Sequence, residues 1–248
     1  MNRTWSPSWA IPRASLLPTL EPSEPYGRHY DERQRVTSSR PRDDKLDNKT
    51  IRHVRSVTMS SRNIHEYGEL FAKYLEARKA IFLDKLGWHV SEADGMEFDQ
   101  YDTPQCRWII LHEYGEVLGG ARLMPTTARC GIYSYMLRDA QKGILPDLPR
   151  DVLFFEAPVE HSVWEATRFF ITDDVSAKRR FTIRHLLFNK MIEAGVAHGA
   201  THILGIVPYL WMRWSRPMGV TATPIGAKFE IDGTQSQAVL FSTGTYEA

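Results

Sequence analysis

The chain has 248 residues, a formal net charge of +1, and 42% apolar and 25% charged side chains, the proportions of an ordinary soluble globular protein. So small a net charge gives no general drive toward nucleic acid or a membrane surface. No apolar run approaches the roughly 20 residues that a membrane span needs. The two cysteines, Cys106 and Cys130, have neither paired nor metal-like spacing, which excludes a disulfide scaffold and agrees with a reduced cytoplasm; the N-terminus also lacks the apolar core of a signal peptide.

Residues 1–50 differ in kind from the rest of the chain. Six of the fourteen prolines fall before position 42, among serines and arginines, and no periodicity is sustained. Such a segment buries too little apolar surface to offset its ordering entropy, so it is expected to be a disordered extension. Five of its arginines (Arg28, Arg33, Arg35, Arg40 and Arg42) are interleaved with Asp31, Glu32, Asp43 and Asp44. That mixture favours a solvated tail over a nucleic-acid or membrane arm. Residues 51–248 are expected to form the folded domain.

Within that domain Ile51–Thr58 suits a short strand. From Arg62 the positions Ile64, Tyr67, Leu70, Phe71, Tyr74 and Leu75 recur at helical spacing and predict an amphipathic helix to about Ala80. Gly87-Trp88 closes the next turn, and a polar loop leads to Asp99. Cys106–Glu113 and Glu116–Leu123 read as two strands joined by Tyr114-Gly115, a hairpin. Gly119-Gly120 in the second strand predicts a bulge or a close backbone approach. Residues 133–150 suit a short helix and a proline-rich loop, and Val163–Thr172 a strand of buried type. Asp173–Ser176 offers an N-cap for a long helix, Ala177 to His198, closed by Gly199. A strand at Thr201–Val207, a Trp-rich turn to Gly219, and strands at Thr221–Phe229 and Gln237–Ser242 complete an α/β (α+β) arrangement.

Charged side chains among these apolar strands mark the stretch to explain. Asp99 and Asp102 precede the hairpin, Arg122 ends it, and Glu165 and Arg168 lie on the buried-type strand. Buried charges are costly unless paired, so these residues are expected to be partners in one site. Glu165 and Arg168 are three apart and would face opposite ways unless a bulge intervenes. A structural ion network accounts for the spacing as well as a catalytic one does. His112-Glu113-Tyr114-Gly115-Glu116 lacks the second histidine of a zinc-protease motif. No Gly-x-Ser-x-Gly, dinucleotide or P-loop fingerprint is present. Trp88, Trp108, Trp164, Trp211 and Trp214 suit core or rim positions.

The order of these residues resembles a known family. Arg78-x-x-x-Phe82, Gly87-Trp88, Glu97-Phe-Asp99-Gln-Tyr-Asp102, Gly120-Ala-Arg122-Leu and Trp164-Glu165-Ala-Thr-Arg168-Phe169 succeed one another as in the LuxI-type acyl-homoserine-lactone synthases, the autoinducer synthases of quorum sensing. The likeness runs from about residue 52 to about 240. It implies a GNAT-like three-layer α-β-α sandwich with a splayed mixed sheet. It also implies an acyltransferase that joins an acyl group from acyl carrier protein, or from acyl-coenzyme A, to S-adenosylmethionine. The products would be the lactone and 5′-methylthioadenosine, with no permanently bound cofactor and no metal. An N-acyltransferase using acyl-coenzyme A and another amine, or a binding module without activity, are the alternatives.

The resemblance also implies roles. Glu165 is the expected proton acceptor for the attacking amine. Asp99 and Asp102 would hold the cationic ligand and orient Arg122. Arg78 and Arg168 would fix carboxylates, either the substrate's or those of Asp99 and Glu165. Phe82 and Trp88 would form an apolar wall and a cation-facing ring. Backbone amides from Phe169 to Ile171 are candidates for polarising the thioester carbonyl. Lys178, Arg179, Arg180 and Arg184, at the start of the long helix, are candidates for docking the carrier. The Gly-rich pyrophosphate loop of the wider GNAT pattern is absent here, which leans toward acyl carrier protein. The acyl pocket is expected behind Ile203–Val207 and Tyr209–Met218, floored by Tyr209, Leu210, Trp211, Met212 and Trp214. Leu204-Gly205-Ile206-Val207 lacks the threonine of many relatives, which argues against a 3-oxo acyl chain.

Overall fold

The computed structural model describes residues 51–211, 215, 220 and 222–245. The expectations for residues 1–50, and for Met212, Arg213, Trp214 and Met218 beside the acyl pocket, lie outside the described residues. A seven-stranded sheet has the order β1-β4-β5-β6-β7-β9-β8. Its strands are β1 (Val54–Met59), β4 (Arg107–Glu113), β5 (Glu116–Pro125), β6 (Val163–Ile171), β7 (His202–Pro208), β8 (Ala222–Ile231) and β9 (Thr234–Ser242). The β6–β7 pair is parallel; the other neighbours are antiparallel. A small ribbon, β2 (Glu92–Ala93) and β3 (Met96–Glu97), occupies what the sequence suggested was loop.

Period-two alternation along the strands divides the core into two layers. Ile109, Leu111, Ala121, Leu123, Trp164 and Ile171 pack beneath α3 (Ala177–Ala197), against Ile183, Leu187, Phe188 and Met191. On the other face, Trp108, Ile110, Met124, Phe170 and Leu204 meet α1 (Leu70–Lys79) and α2 (Met136–Gln141) through Tyr74, Leu75 and Leu137. This is the expected α-β-α sandwich. Helix α1 is shorter at its start than the periodicity implied. Gly68, at φ 55°, separates it from a 3₁₀ turn at Ile64–Tyr67, and a wider, π-type turn carries it on from Ala80 to Lys85. That turn swings Phe82 and Trp88 over the sheet.

Two irregularities shape the central strands. The Tyr114-Gly115 turn has φ of 54° and 86°, the geometry of a tight two-residue hairpin. A side chain at Gly120 would come within 2.5 Å of the Tyr74 ring, so the close approach expected there brings α1 down onto β5. Leu111 pairs with Gly119 but His112 with Val117, so β5 carries one extra residue beside the two glycines, and the second irregularity is in β6. Gly120 pairs with Phe170 but Arg122 pairs with Thr167, so β6 carries one extra residue. Arg168 absorbs it at φ 53°. This is the bulge that the spacing of Glu165 and Arg168 required.

Beyond the bulge the sheet splays. The ladder between β6 and β7 runs from Val163↔His202 to Ala166↔Gly205 and stops, although β6 continues to Ile171 and β7 to Pro208. The edge of β6 that would face β7 is therefore unpaired along Thr167–Ile171.

Candidate active site

Six charged side chains meet on the α1 face. Arg78 and Arg122 are fully buried, as is Glu97. Arg78 donates to both oxygens of Asp102, at 2.8 and 3.0 Å, and through Nε to Glu97. Arg122 spans Asp99, also bidentate, and Asp102 at 2.9 Å, while its Nε donates to Thr167 Oγ1 at 3.0 Å. Arg168 Nη2 reaches Glu97 at 3.0 Å and Asp99 at 2.9 Å. The Trp108 indole adds a 2.9 Å bond to Asp102. Three guanidinium groups thus balance three carboxylates, and forked pairing of this kind is what makes such burial tolerable.

The bulge is what admits Arg168 to this cluster, since it lets Thr167 and Arg168 both act on the α1 side. Phe82 and Trp88 stack on each other with centroids 4.9 Å apart. The Arg168 guanidinium lies 5.2 and 5.8 Å from the two rings, so the expected cation-facing ring faces an arginine. Burial would raise the proton affinity of Asp99 and Asp102, but the adjacent guanidinium groups outweigh it and hold both carboxyls below their ordinary range.

Glu165 stands apart, which corrects its expected arginine pairing. Its carboxylate is 1% exposed and accepts the backbone N–H groups of Met136 at 2.9 Å and Leu137 at 2.8 Å, at the start of α2. Burial pushes its pKa up to about 7, against the pull of those amides and of Arg122 and with the help of the Asp139 charge. A carboxylate in that range accepts a proton at neutral pH and can release it again.

Two other expectations need correction, and the segment after β7 can be placed. Phe169 packs its side chain against the α3-side core, away from the charges, so only backbone is offered on that edge. Arg179 is already forked onto Glu113 at 3.0 Å, and Arg180 donates to the carbonyls of Thr172, Asp173 and Val175. Of the four basic residues, Lys178 is exposed and Arg184 half-buried, with burial and then the charge of Arg180 lowering the Arg184 pKa. Tyr209 and Leu210 are exposed, and Trp211 packs between Phe188 and Phe241 in the α3-side core. Two buried carboxylates of this face were not singled out as site residues from the sequence. Glu97 lies inside the aspartate run without standing out from it, and Asp139 sits in a stretch that reads only as a short helix.

Comparison with known proteins concerns the family and the fold. The autoinducer synthase family model matches residues 58–241. An acyl-homoserine-lactone synthase of Pseudomonas aeruginosa is 28% identical over 167 residues, which is 66% of this chain and 75% of that protein. One from Ralstonia nicotianae is 32% identical over 155 residues, 60% of this chain and 70% of the relative. Among solved structures, TofI in a ternary complex with an inhibitor and MTA superposes with a TM-score of 0.61 at 26% identity, covering 76% of this chain and 91% of that one.

Proposed function

We infer the reaction from one premise: the chain belongs to the autoinducer synthase family. It is an acyltransferase, an acyl-homoserine-lactone synthase that takes S-adenosylmethionine as substrate and serves quorum sensing. In the first step the amine of S-adenosylmethionine attacks the thioester carbonyl of the acyl donor. The new N–C bond expels the carrier thiol, and the amine loses a proton. In the second step the substrate carboxylate attacks its own carbon beside the sulfonium. A lactone C–O bond forms, the C–S bond breaks, and 5′-methylthioadenosine leaves.

The residues divide these tasks. Glu165 accepts the amine proton, directly or through a water. The observation that carries this role is its buried seat without a paired cation, which keeps the pKa near 7. Asp99 and Asp102, held by Arg78, Arg122 and Arg168, form a rigid anionic edge for the sulfonium end, and the second step then needs only positioning. Phe82 and Trp88 close the site over it. Amides along the unpaired edge of β6, Phe169 to Ile171, face the thioester oxygen. We assign acyl carrier protein as donor, docked at the start of α3 through Lys178, with Arg179, Arg180 and Arg184 contributing positive charge to that surface. The reaction belongs in the cytoplasm, where both substrates are made. Among the described residues no helix is long and apolar enough to cross a membrane.

The test is chemical. Purified protein given S-adenosylmethionine and a panel of acyl carrier protein and coenzyme A thioesters should release methylthioadenosine and an acylated lactone. Arg122→Ala should give neither. Free thiol without methylthioadenosine would sink the lactone reading, and coenzyme A thioesters turning over faster would overturn the donor assignment.

A further inference from the structure

Asp139 is a fully buried carboxylate that the reaction scheme leaves without a task. It accepts the backbone N–H of Ser134 at 2.8 Å and the Ser134 hydroxyl at 2.6 Å. Its third partner comes from another part of the chain: the Tyr101 hydroxyl donates to it at 3.1 Å. Tyr101 lies between Asp99 and Asp102, its own N–H donates to Asp99 at 2.8 Å, and its ring lies 5.7 Å from the Arg122 guanidinium. The same helix, α2, presents its first amides to Glu165. Asp139 therefore touches both halves of the site, the aspartate loop through Tyr101 and the seat of Glu165 through α2.

We propose that Asp139 is a positioning residue for acyl transfer, tying the Asp99–Asp102 loop to the helix that seats Glu165. This rests on Glu165 being the proton acceptor. The groups that face Glu165 are Arg122 from β5, Asp139 and Tyr135 on and beside α2, and Tyr101 from the loop. Of these, Arg122 favours the ionised glutamate and Asp139 opposes it. The two tyrosines stay protonated, since burial drives their pKa upward. Burial is the main reason that the glutamate holds its proton, and the Asp139 charge acts in the same direction.

The base works only when ionised, so turnover falls as pH drops through the Glu165 pKa. Removing the charge at Asp139 makes ionisation easier and moves that acid limb down. The experiment is the pH dependence of kcat for wild type, Asp139→Asn, Tyr101→Phe and Glu165→Gln, with thermal melts alongside. Asp139→Asn should move the acid limb down, the direction that follows from removing a neighbouring negative charge. Tyr101→Phe keeps the ring beneath Arg122 and every charge; it should lower kcat about tenfold and leave the limb in place. An unmoved limb in a folded Asp139→Asn, or wild-type kcat in Tyr101→Phe, would overturn the proposal while Glu165→Gln remained inactive. Wild-type turnover in Glu165→Gln would instead overturn the reading on which it rests.

Discussion

Two buried acidic regions lie side by side on the α1 face and behave oppositely. In the cluster of Glu97, Asp99 and Asp102 every carboxylate is met by a guanidinium. Glu165, on the adjoining strand, is met by two backbone amides. Burial acts on both, yet beside their guanidinium groups the two aspartates titrate below the ordinary range, while the glutamate is poised to change its charge near neutral pH. Burial alone therefore does not make a base. What matters is whether the compensating group carries a full charge or a partial one.

The largest expected effect comes from breaking the balanced cluster. Arg122→Met leaves Asp99 and Asp102 short of a partner, and should cost about 3–5 kcal/mol of stability along with all turnover. Urea unfolding checks it, and a loss below about 1 kcal/mol would mean that the charges are not coupled.

A second measurement separates the regions by pH. Glu165 has a folded pKa near 7 against an ordinary 4.5, so the folded state holds its proton more tightly than the unfolded one. Its contribution is thus most favourable below 4.5 and is lost as pH rises toward 7. Glu165→Gln titrates nowhere, so its stability relative to wild type should improve between pH 5 and 8, by up to about 3 kcal/mol. The same variant should lose turnover roughly 100-fold or more. Asp99 and Asp102 have lowered pKa values, so their contribution stands above the ordinary carboxylate range and disappears as pH falls below it. A relative stability for Glu165→Gln that is flat with pH would erase the contrast.

The smallest effect concerns the carrier. Lys178→Glu should raise the KM for acyl carrier protein several-fold, leave that for S-adenosylmethionine unchanged, and fade at high salt. Equal changes in both would show that this surface is not the dock.

Most of the architecture was legible because each strand alternates and each long helix keeps its period. The hairpin, the closeness at Gly119-Gly120 and the bulge near Arg168 all had local signals, in glycines or in charge spacing. What was not legible was pairing. Nothing in the order of residues says that Arg168 meets Glu97 across 71 positions, or that Glu165 meets amides instead of an arginine. The basic run at the start of α3 looked uniform in sequence. Glu113 sits on β4, and its claim on Arg179 exists only once the sheet has formed. Asp139 carried no signal, since one acid in a short polar helix ordinarily faces solvent.

The ladder between β6 and β7 joins two half-sheets, β1-β4-β5-β6 and β7-β9-β8, by four residue pairs, Val163–Ala166 with His202–Gly205. Mechanically this is a short seam in an otherwise continuous fabric. All the acid–arginine cluster hangs on one half, and Leu204 and Ile225, which pack toward α2, belong to the other. The seam stops at Ala166 and Gly205, so past that point the two halves are held only by what packs across them, and the charged network lies wholly to one side of it.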